Sequence, residues 1–574
     1  MIGGVTPGLV GSGRGDGQGV TVRMPTITID GRQLEFKPGQ MILQVANDAG
    51  IAIPQYCYHP GLSIVASCRI CLAEVWSPNP RNDNKLEYMG KLLPTCQTTC
   101  SDGMVVYTDS PKSIANQKSV MEYLLINHPL DCPVCDQAGE CLLQDYSYEY
   151  GRGVSRFEEA KVKQPKKDLG PHVYLYADRC IMCSRCVRFT REVTGTSELT
   201  IEGRGNQAQI DIFPGEALDN ELSANVIDLC PVGALLDKDF LFAQRVWFLK
   251  ETPSIDGLTS SGDNISIHHN DGAIYRIKPR TNAEVNKWWI TDEVRYGWKF
   301  VHAPERLRSP ALTRFGTRAE CDYARAYDEA AQGLRSALAS GRDQRLALIV
   351  SPMLSCEEAY LLAKAAQAID DRATFVVGPV PVHGQDKSFP GGFVMRAEKC
   401  PNSRGVRRVL EAMTGAATAV LSFEQFMKKA GDFGALIVTG NYPSEWVTPE
   451  MAKACAGRYT VLIDTLPNRL TPQADIVLPG ATWAEKAGVF ENATGRLQAF
   501  EQAIPVIEMA KPEGQIALDL LAQASGVQRP ERFNAANVRR EMAAEYSSLS
   551  VFETEVHYPA ATAQMTPEVE VVEL

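Results

Sequence analysis

From Thr26 the chain alternates apolar and polar positions over Thr26–Ile29, breaks at Asp30-Gly31, and resumes over Leu34–Phe36. Asp-Gly between two such runs predicts a two-residue hairpin turn. Met41–Ala49 predicts a short helix and Leu72–Trp76 a strand, so residues 25–107 read as a small α+β domain. Lys112–Asn127 predicts a helix. Ser110-Pro111 suits its first turn, and Ile114, Met121, Leu124, Leu125 and His128 share a face at helical spacing. Pro129 stops it and leaves His128 at the helix end. Residues 151–170 are charged and read as a linker.

Beyond residue 250 the pattern changes. Short apolar runs (Leu346–Val350, Thr374–Val377, Ala435–Thr439, Val461–Asp464, Ile476–Leu478) alternate with helical stretches at Glu357–Ala368 and Val406–Met413. That alternation predicts an α/β domain with a largely parallel sheet. Residues 1–24 are Gly-rich and read as a flexible tail. Residues 551–574 carry five Glu and no Lys or Arg and read as a solvated end.

Composition narrows the chemistry. Among 574 residues, 44% are apolar and 22% charged, as in ordinary globular proteins. No run of 18 apolar residues suggests a membrane span, and residues 1–24 lack the apolar core of a secretory signal. The net charge of −11, without a basic run, argues against nucleic-acid binding. The 16 cysteines decide more, because twelve lie between Cys57 and Cys230. Clustered reduced cysteines point to metal rather than disulfides. The other four, Cys321, Cys356, Cys400 and Cys455, are scattered and read as small core residues.

Three ligand sets emerge by spacing. The first, Cys57-x10-Cys68-x2-Cys71-x24-Cys96, is a variant of the plant-type [2Fe–2S] pattern. Cys96 is preferred over Cys100 as its fourth ligand, and structural zinc is the alternative. The second, His128-x3-Cys132-x2-Cys135-x5-Cys141, suits zinc or a [4Fe–4S] cluster, and its two redox-type neighbours favour the cluster. Neutral imidazole in place of one thiolate makes such a complex one unit less negative, which favours reduction. The third, Cys180-x2-Cys183-x2-Cys186 with Cys230-Pro231, is the bacterial ferredoxin run. Thr190 stands where that run's fourth cysteine would be, and Asn220, Ser223 and Val226 where a second run's would be. It reads as a two-cluster module that keeps one cluster.

The segments Ile53-Pro-Gln-Tyr-Cys57-Tyr-His-Pro-Gly-Leu, His128-Pro-Leu-Asp-Cys132-Pro-Val-Cys135-Asp-Gln-Ala-Gly-Glu-Cys141 and Cys180-Ile-Met-Cys183-Ser-Arg-Cys186-Val-Arg-Phe resemble the large iron–sulfur subunits of respiratory complex I. The resemblance runs from about residue 25 to about 530. It implies a multidomain α+β and α/β protein: a β-grasp [2Fe–2S] ferredoxin-like domain (25–107), a histidine-plus-three-cysteine [4Fe–4S] module (108–150) and a bacterial-ferredoxin-like module (171–246). A small molybdopterin-oxidoreductase-like domain (250–306), a larger α/β scaffold of that type (307–530) and a tail (531–574) would follow. The last likeness rests on Ala303-Pro-Glu-Arg-Leu and on Ala474-Asp-Ile-Val-Leu-Pro-Gly-Ala-Thr-Trp-Ala-Glu485-Lys-Ala-Gly.

The resemblance implies one [2Fe–2S] cluster on Cys57, Cys68, Cys71 and Cys96. It implies two [4Fe–4S] clusters, on His128, Cys132, Cys135 and Cys141 and on Cys180, Cys183, Cys186 and Cys230. Some relatives carry a further cluster on C-x2-C-x3-C. Here Asp256, Thr259 and Asp263 stand at those positions, so neither that cluster nor molybdopterin is expected. The implied role is electron relay from a flavin- and NADH-binding partner, through other peripheral-arm iron–sulfur subunits, toward quinone. The binuclear and third clusters would lie on the main path and the His-ligated one beside it. The implied place is peripheral to the inner or cell membrane, on the cytoplasmic side of a bacterium or the matrix side of a mitochondrion. Membrane contact would come only through other subunits. No NADH or quinone site is expected on the chain itself. The alternative is a related subunit of a soluble NAD-linked hydrogenase or formate dehydrogenase.

Overall fold

The computed structural model describes residues 23–559, apart from 315, 340–343, 416–418 and 528–530. Most of the expected N-terminal tail, and residues 560–574, lie outside the described residues. The chain forms two compact units.

The first unit runs to Tyr58 and includes Ile64–Ile126 and Tyr146–Phe157. It is built from β1 (Thr26–Ile29), β2 (Arg32–Glu35), α1 (Ile42–Asp48), β3 (Leu72–Asn79), β4 (Lys85–Tyr88), β5 (Leu93–Pro94), β6 (Met104–Tyr107) and α2 (Pro111–Leu125). The sheet order is β2-β1-β6-β3-β4, with β5 on β3. Asp30 and Gly31 have φ of 47° and 80°, the double positive φ of a tight hairpin turn. β1 is antiparallel to β2 but parallel to β6, so the chain must cross over between them. α1 lies in that crossover and buries Ile42, Leu43, Val45 and Ala46.

The face of α2 differs from the sequence expectation. Ser113, Gln117, Val120 and Met121 are buried, whereas Ile114 is 38% exposed. Two polar side chains set this orientation. Ser113 Oγ donates to Tyr107 O (3.0 Å) and Gln117 Nε2 to Thr108 O (3.1 Å), satisfying carbonyls that strand β6 leaves behind.

The second unit comprises His59–Ser63, Asn127–Asp145 and the chain from Glu158. α3 (Leu142–Tyr150) begins directly after Cys141. The expected linker 151–170 ends in a strand, β7 (Lys166–Asp168), paired with β8 (Val173–Tyr176). α4 (Arg185–Phe189), the hairpin β9 (Leu199–Glu202) and β10 (Gln209–Ile212), α5 (Asn225–Leu229) and β11 (Leu235–Asp237) follow, with β11 returning to pair with β8. A three-stranded antiparallel sheet comes next: β12 (Lys250–Ile255), β13 (Asn264–Asn270) and β14 (Ala273–Pro279), then α6 (Asp292–Tyr296).

The C-terminal α/β part contains β15 (Ala311–Arg314), β16 (Thr317–Glu320), α7 (Tyr323–Ala339), β17 (Arg345–Val350), α8 (Cys356–Ile369) and β18 (Thr374–Val377). It continues with the short ladder β19 (Lys387–Ser388) and β20 (Val394–Met395), α9 (Ser403–Thr414), α10 (Phe423–Lys429), β21 (Phe433–Thr439) and α11 (Pro449–Cys455). It closes with β22 (Tyr459–Asp464), β23 (Ile476–Pro479), the hairpin β24 (Gly488–Glu491) and β25 (Leu497–Phe500), and α12 (Glu513–Ser525). The sheet order is β16-β15-β23-β22-β21-β17-β18, parallel from β23 to β18. Both faces are covered, as parallel sheets require. Leu346, Leu348 and Val350 of β17 join a core with α8 and α12, while Ala347 and Ile349 join one with Phe426 and Met451.

Residues 531–559 correct the expected tail. α13 (Ala535–Glu545), the 3-10 turn Ser547–Leu549 and α14 (Val551–Thr554) bury Val538, Met542, Leu549 and Phe552 in the α8/α12 core. Arg539 pairs with the buried Glu357. His557 N donates to Leu497 O (2.9 Å), and Ala499 N to His557 O (2.9 Å). The acidic composition that suggested a solvated end belongs largely to the residues beyond.

Candidate cysteine sites

In the first unit Cys57 follows α1, Cys68 and Cys71 precede β3, and Cys96 follows β5. Arg69, between the close pair, sits at φ 59°. The loop is pinned by Tyr123 Oη donating to Cys68 O (3.1 Å), Asn116 Nδ2 to Arg69 O (2.9 Å) and Thr95 Oγ1 to Cys71 O (3.0 Å). The thiols hydrogen-bond one another: Cys57 with Cys68 and Cys96, and Cys71 with Cys96. These bonds hold the Cys57 thiol far down, bring Cys71 to about 7, and push Cys68 and Cys96 up. Cys100 stands apart. Burial raises its thiol to about 11, and its N–H is spent on Gln40 O (2.9 Å).

In the second unit Cys180, Cys183, Cys186 and Cys230 converge on one small cavity, closed by Leu175, Ile181, Ile210, Val232, Ala234 and Leu235. Met182 and Ser184 take φ of 53° and 58°, which folds the run into a tight cradle. Met182 N donates to Cys180 Sγ (3.3 Å). Further backbone N–H groups of Arg185, Val187, Val232, Ala234 and Leu235 face Cys183, Cys186 and Cys230. Burial drives all four thiols up, Cys183 to about 11, so removing their protons takes a strong soft acceptor. Four convergent cysteines, Cys183 and Cys186 buried and Cys180 and Cys230 partly exposed, with N–H donors and an apolar wall fit an iron–sulfur cluster.

His128, Cys132, Cys135 and Cys141 lie in the same unit. Cys132 opens a 3-10 turn and is exposed, whereas Cys135 and Cys141 are buried. Burial raises Cys135 and takes Cys141 to about 11, with the neighbouring cysteines adding to both. Burial lowers His128 to about 4, with the Arg179 charge assisting, so it is a neutral imidazole fit to ligate. Arg179, 2% exposed, also stands near Cys135 and is fixed by Asp131 Oδ2 (2.7 Å).

The second and third sets adjoin. Leu142 N, next to Cys141, donates to Pro231 O, next to Cys230, at 3.1 Å. A Cβ on Gly233 would come within 2.2 Å of Cys135 Sγ, so only glycine permits this approach. Arg179 and Gly233 were invisible to ligand spacing. The one sequence hint was a glycine three residues after the cysteine of a Cys-Pro pair.

The positions of the missing second run are filled. Asn220 Nδ2 donates to Glu198 Oε1 (2.9 Å), Ser223 Oγ to Asp292 Oδ2 (2.7 Å), and Val226 and the Thr190 side chain are fully buried. On the loop between β12 and β13, Asp256 accepts from Leu258 N (2.8 Å), Ser261 Oγ (3.1 Å) and Thr259 Oγ1. These oxygen donors do not fit an iron–sulfur cluster. At the carboxyl ends of the parallel strands, the usual ligand crevice, Asp464 is taken by Asn441 N (2.7 Å), Trp446 Nε1 (2.9 Å) and Asn468 Nδ2 (2.7 Å). Lys486 is buried between Glu358 (2.9 Å) and Glu513 (2.5 Å).

Comparison with known proteins matches five family models. They are a 2Fe-2S iron-sulfur cluster binding domain (23–111), an NADH-ubiquinone oxidoreductase-G iron-sulfur binding region (117–156) and the ferredoxin-like domain of NADH-quinone oxidoreductase subunit 3 (170–236). An NDSU1/NuoG-like 4Fe-4S domain (249–299) and molybdopterin oxidoreductase (414–523) follow. The G subunit of NADH-quinone oxidoreductase from Rickettsia felis is 36% identical over 60% of this chain and 49% of its own. The mitochondrial 78 kDa subunit of NADH-ubiquinone oxidoreductase from Neurospora crassa is 41% identical over 55% and 41%. The chain thus spans about half the length of the curated relatives it matches. A solved NAD+-reducing [NiFe]-hydrogenase chain is 30% identical, covering 39% of this chain and 91% of that one, with a TM-score of 0.34.

Proposed function

Because this chain is homologous to the G, or 75–78 kDa, subunits of NADH-quinone oxidoreductase, we propose that it relays electrons within such a complex. Its iron–sulfur domains are of one [2Fe–2S] and of [4Fe–4S] type. The proposed ligands are Cys57, Cys68, Cys71 and Cys96; His128, Cys132, Cys135 and Cys141; and Cys180, Cys183, Cys186 and Cys230. Electrons enter from a flavin-bearing partner that oxidises NADH and leave through other iron–sulfur subunits toward quinone. No helix among the described residues is long and apolar enough to cross a membrane. We place the chain at the membrane periphery, on the cytoplasmic or matrix side, held there by other subunits.

When bound, the clusters supply one-electron transfer. The chain's residues hold and tune them. Cysteine sulfurs ligate, backbone N–H groups stabilise the thiolates, and Leu175, Ile210 and Val232 keep water from the third site. Burial, assisted by Arg179, keeps His128 neutral. The observation that carries the reading is the junction at Leu142 N and Pro231 O. It supports a relay running through the His-ligated set and the third set in succession, rather than leaving the former aside. Iron and acid-labile sulfide analysis tests the proposal. About 10 iron atoms per chain, with sulfide, is expected from one binuclear and two tetranuclear clusters. Zinc without sulfide would overturn it.

A further inference from the structure

The loop that joins β12 to β13 holds two carboxylates that the relay does not use. Asp256 is fully buried and Asp263 is 2% exposed. They are tied through the backbone, Asp256 N donating to Asp263 O at 2.8 Å. Their side chains face the same group, for Ser261 Oγ donates to Asp256 Oδ2 (3.1 Å) and also lies against the Asp263 carboxyl. The backbone N–H groups of Leu258 and Thr259 and the hydroxyls of Thr259 and Ser261 all serve Asp256. That supply of donors suits an ionised Asp256.

Asp263 is the anomaly. Its Oδ2 is buried and has no hydrogen-bond partner. Burial and the neighbouring Asp256 charge both act against its ionised form. A proton on the other carboxyl oxygen, shared with Ser261 Oγ, would neutralise Asp263 but would still leave Oδ2 without a partner. The cation nearest in effect, Arg396, is already bound to Asp386 Oδ2 at 2.7 Å. A fully buried, unpaired carboxyl oxygen beside a second carboxylate is costly unless something positive sits between them.

We propose that Asp263 and Asp256, with the hydroxyl oxygens of Thr259 and Ser261, bind a hard divalent cation. The spacing Asp256-x2-Thr259-x3-Asp263 presents oxygen at each position where C-x2-C-x3-C would present sulfur. Hard oxygen donors select an alkaline-earth ion over a soft-metal cluster. Ca2+ suits the burial better than Mg2+, since Mg2+ retains several waters and demands strict octahedral geometry. The ion has no redox role. It neutralises the pair and locks the hairpin loop.

The test uses the full chain in its native complex, passed through chelator-treated buffer and then equilibrated with Ca2+ or, separately, Mg2+. Elemental mass spectrometry after gel filtration should find one equivalent of Ca2+ per complex more than in a complex carrying Asp263→Asn, at unchanged iron content. Thermal-shift measurement on the wild-type complex provides a second reading that needs no variant. Ca2+ should raise the midpoint in a saturable way, and the rise should vanish in Asp263→Asn. No difference in retained Ca2+ between wild type and variant, or equal thermal shifts in both, overturns the site. The iron content reports the relay separately, so failure of one proposal is distinguishable from failure of the other.

Discussion

A Cβ placed on Gly233 would lie 2.2 Å from the sulfur of Cys135. The third set's loop therefore presses directly on a proposed ligand of the second. Gly233→Ala should displace Cys135 and damage the His-ligated site while leaving the third set's own sulfurs in place. The expected result is loss or broadening of one [4Fe–4S] signal in electron paramagnetic resonance and a fall in iron from about 10 toward about 6 per chain. Unchanged spectra would show that the loop yields.

Cys96 and Cys100 are separated by the thiol contacts. Cys96→Ser should abolish or strongly shift the binuclear signal, since Cys96 bonds to both Cys57 and Cys71. Cys100→Ser should leave that signal in place, because burial governs its thiol. Electron paramagnetic resonance of the reduced protein distinguishes the two.

Cys183→Ala removes a sulfur from the cavity of the third set. One [4Fe–4S] signal should disappear and NADH-to-quinone electron transfer should stop, while flavin reduction by NADH survives. Normal quinone reduction would place the third site off the path.

Glu513 links the scaffold to pH. Burial raises its carboxyl from 4.5 to about 8, against the pull of Lys486. Between those values the folded state binds a proton that the unfolded state has released, so stability falls as pH rises through this window. Urea midpoints measured at pH 6 and pH 8.5 should show the drop, and Glu513→Gln should flatten it. Lys486→Met should be costlier, by about 3–5 kcal/mol, because it strands buried carboxylates.

Truncation after residue 530 should destabilise the α/β domain rather than trim it. Met542, Leu549 and Phe552 are fully buried against α8 and α12. Lost solubility or a markedly lower unfolding midpoint is expected. An unaltered midpoint would return these residues to the status of a tail.

Much of this was legible in the sequence because local chemistry dictated it. Asp30-Gly31 could scarcely be anything but a turn, and the apolar runs from Leu346 to Leu478 became five adjacent parallel strands. The misreadings share a cause, tertiary partners overriding local pattern. Ser113 and Gln117 face inward because strand-end carbonyls need donors. α13 carries only two apolar residues larger than alanine, Val538 and Met542, and Arg539 joins its buried side only because Glu357 awaits it. The proposed ligand sets were grouped by their spacing. The residues that bring two sites together, Gly233 and Arg179, were not, since their role exists only once distant segments meet.

On the proposed ligand set, Cys230 reaches the third site from about 44 residues beyond Cys186. The intervening stretch holds the β9–β10 hairpin and α5. Iron there would act as a staple that fastens a long excursion of chain at both ends. By the entropy scale for cross-links, closing a loop of that length removes about 4 kcal/mol of freedom from the unfolded chain. Chelating the iron should therefore release more than a redox centre. The excursion between Cys186 and Cys230 should become the first place a protease cuts, and protection there a measure of how completely the protein was assembled.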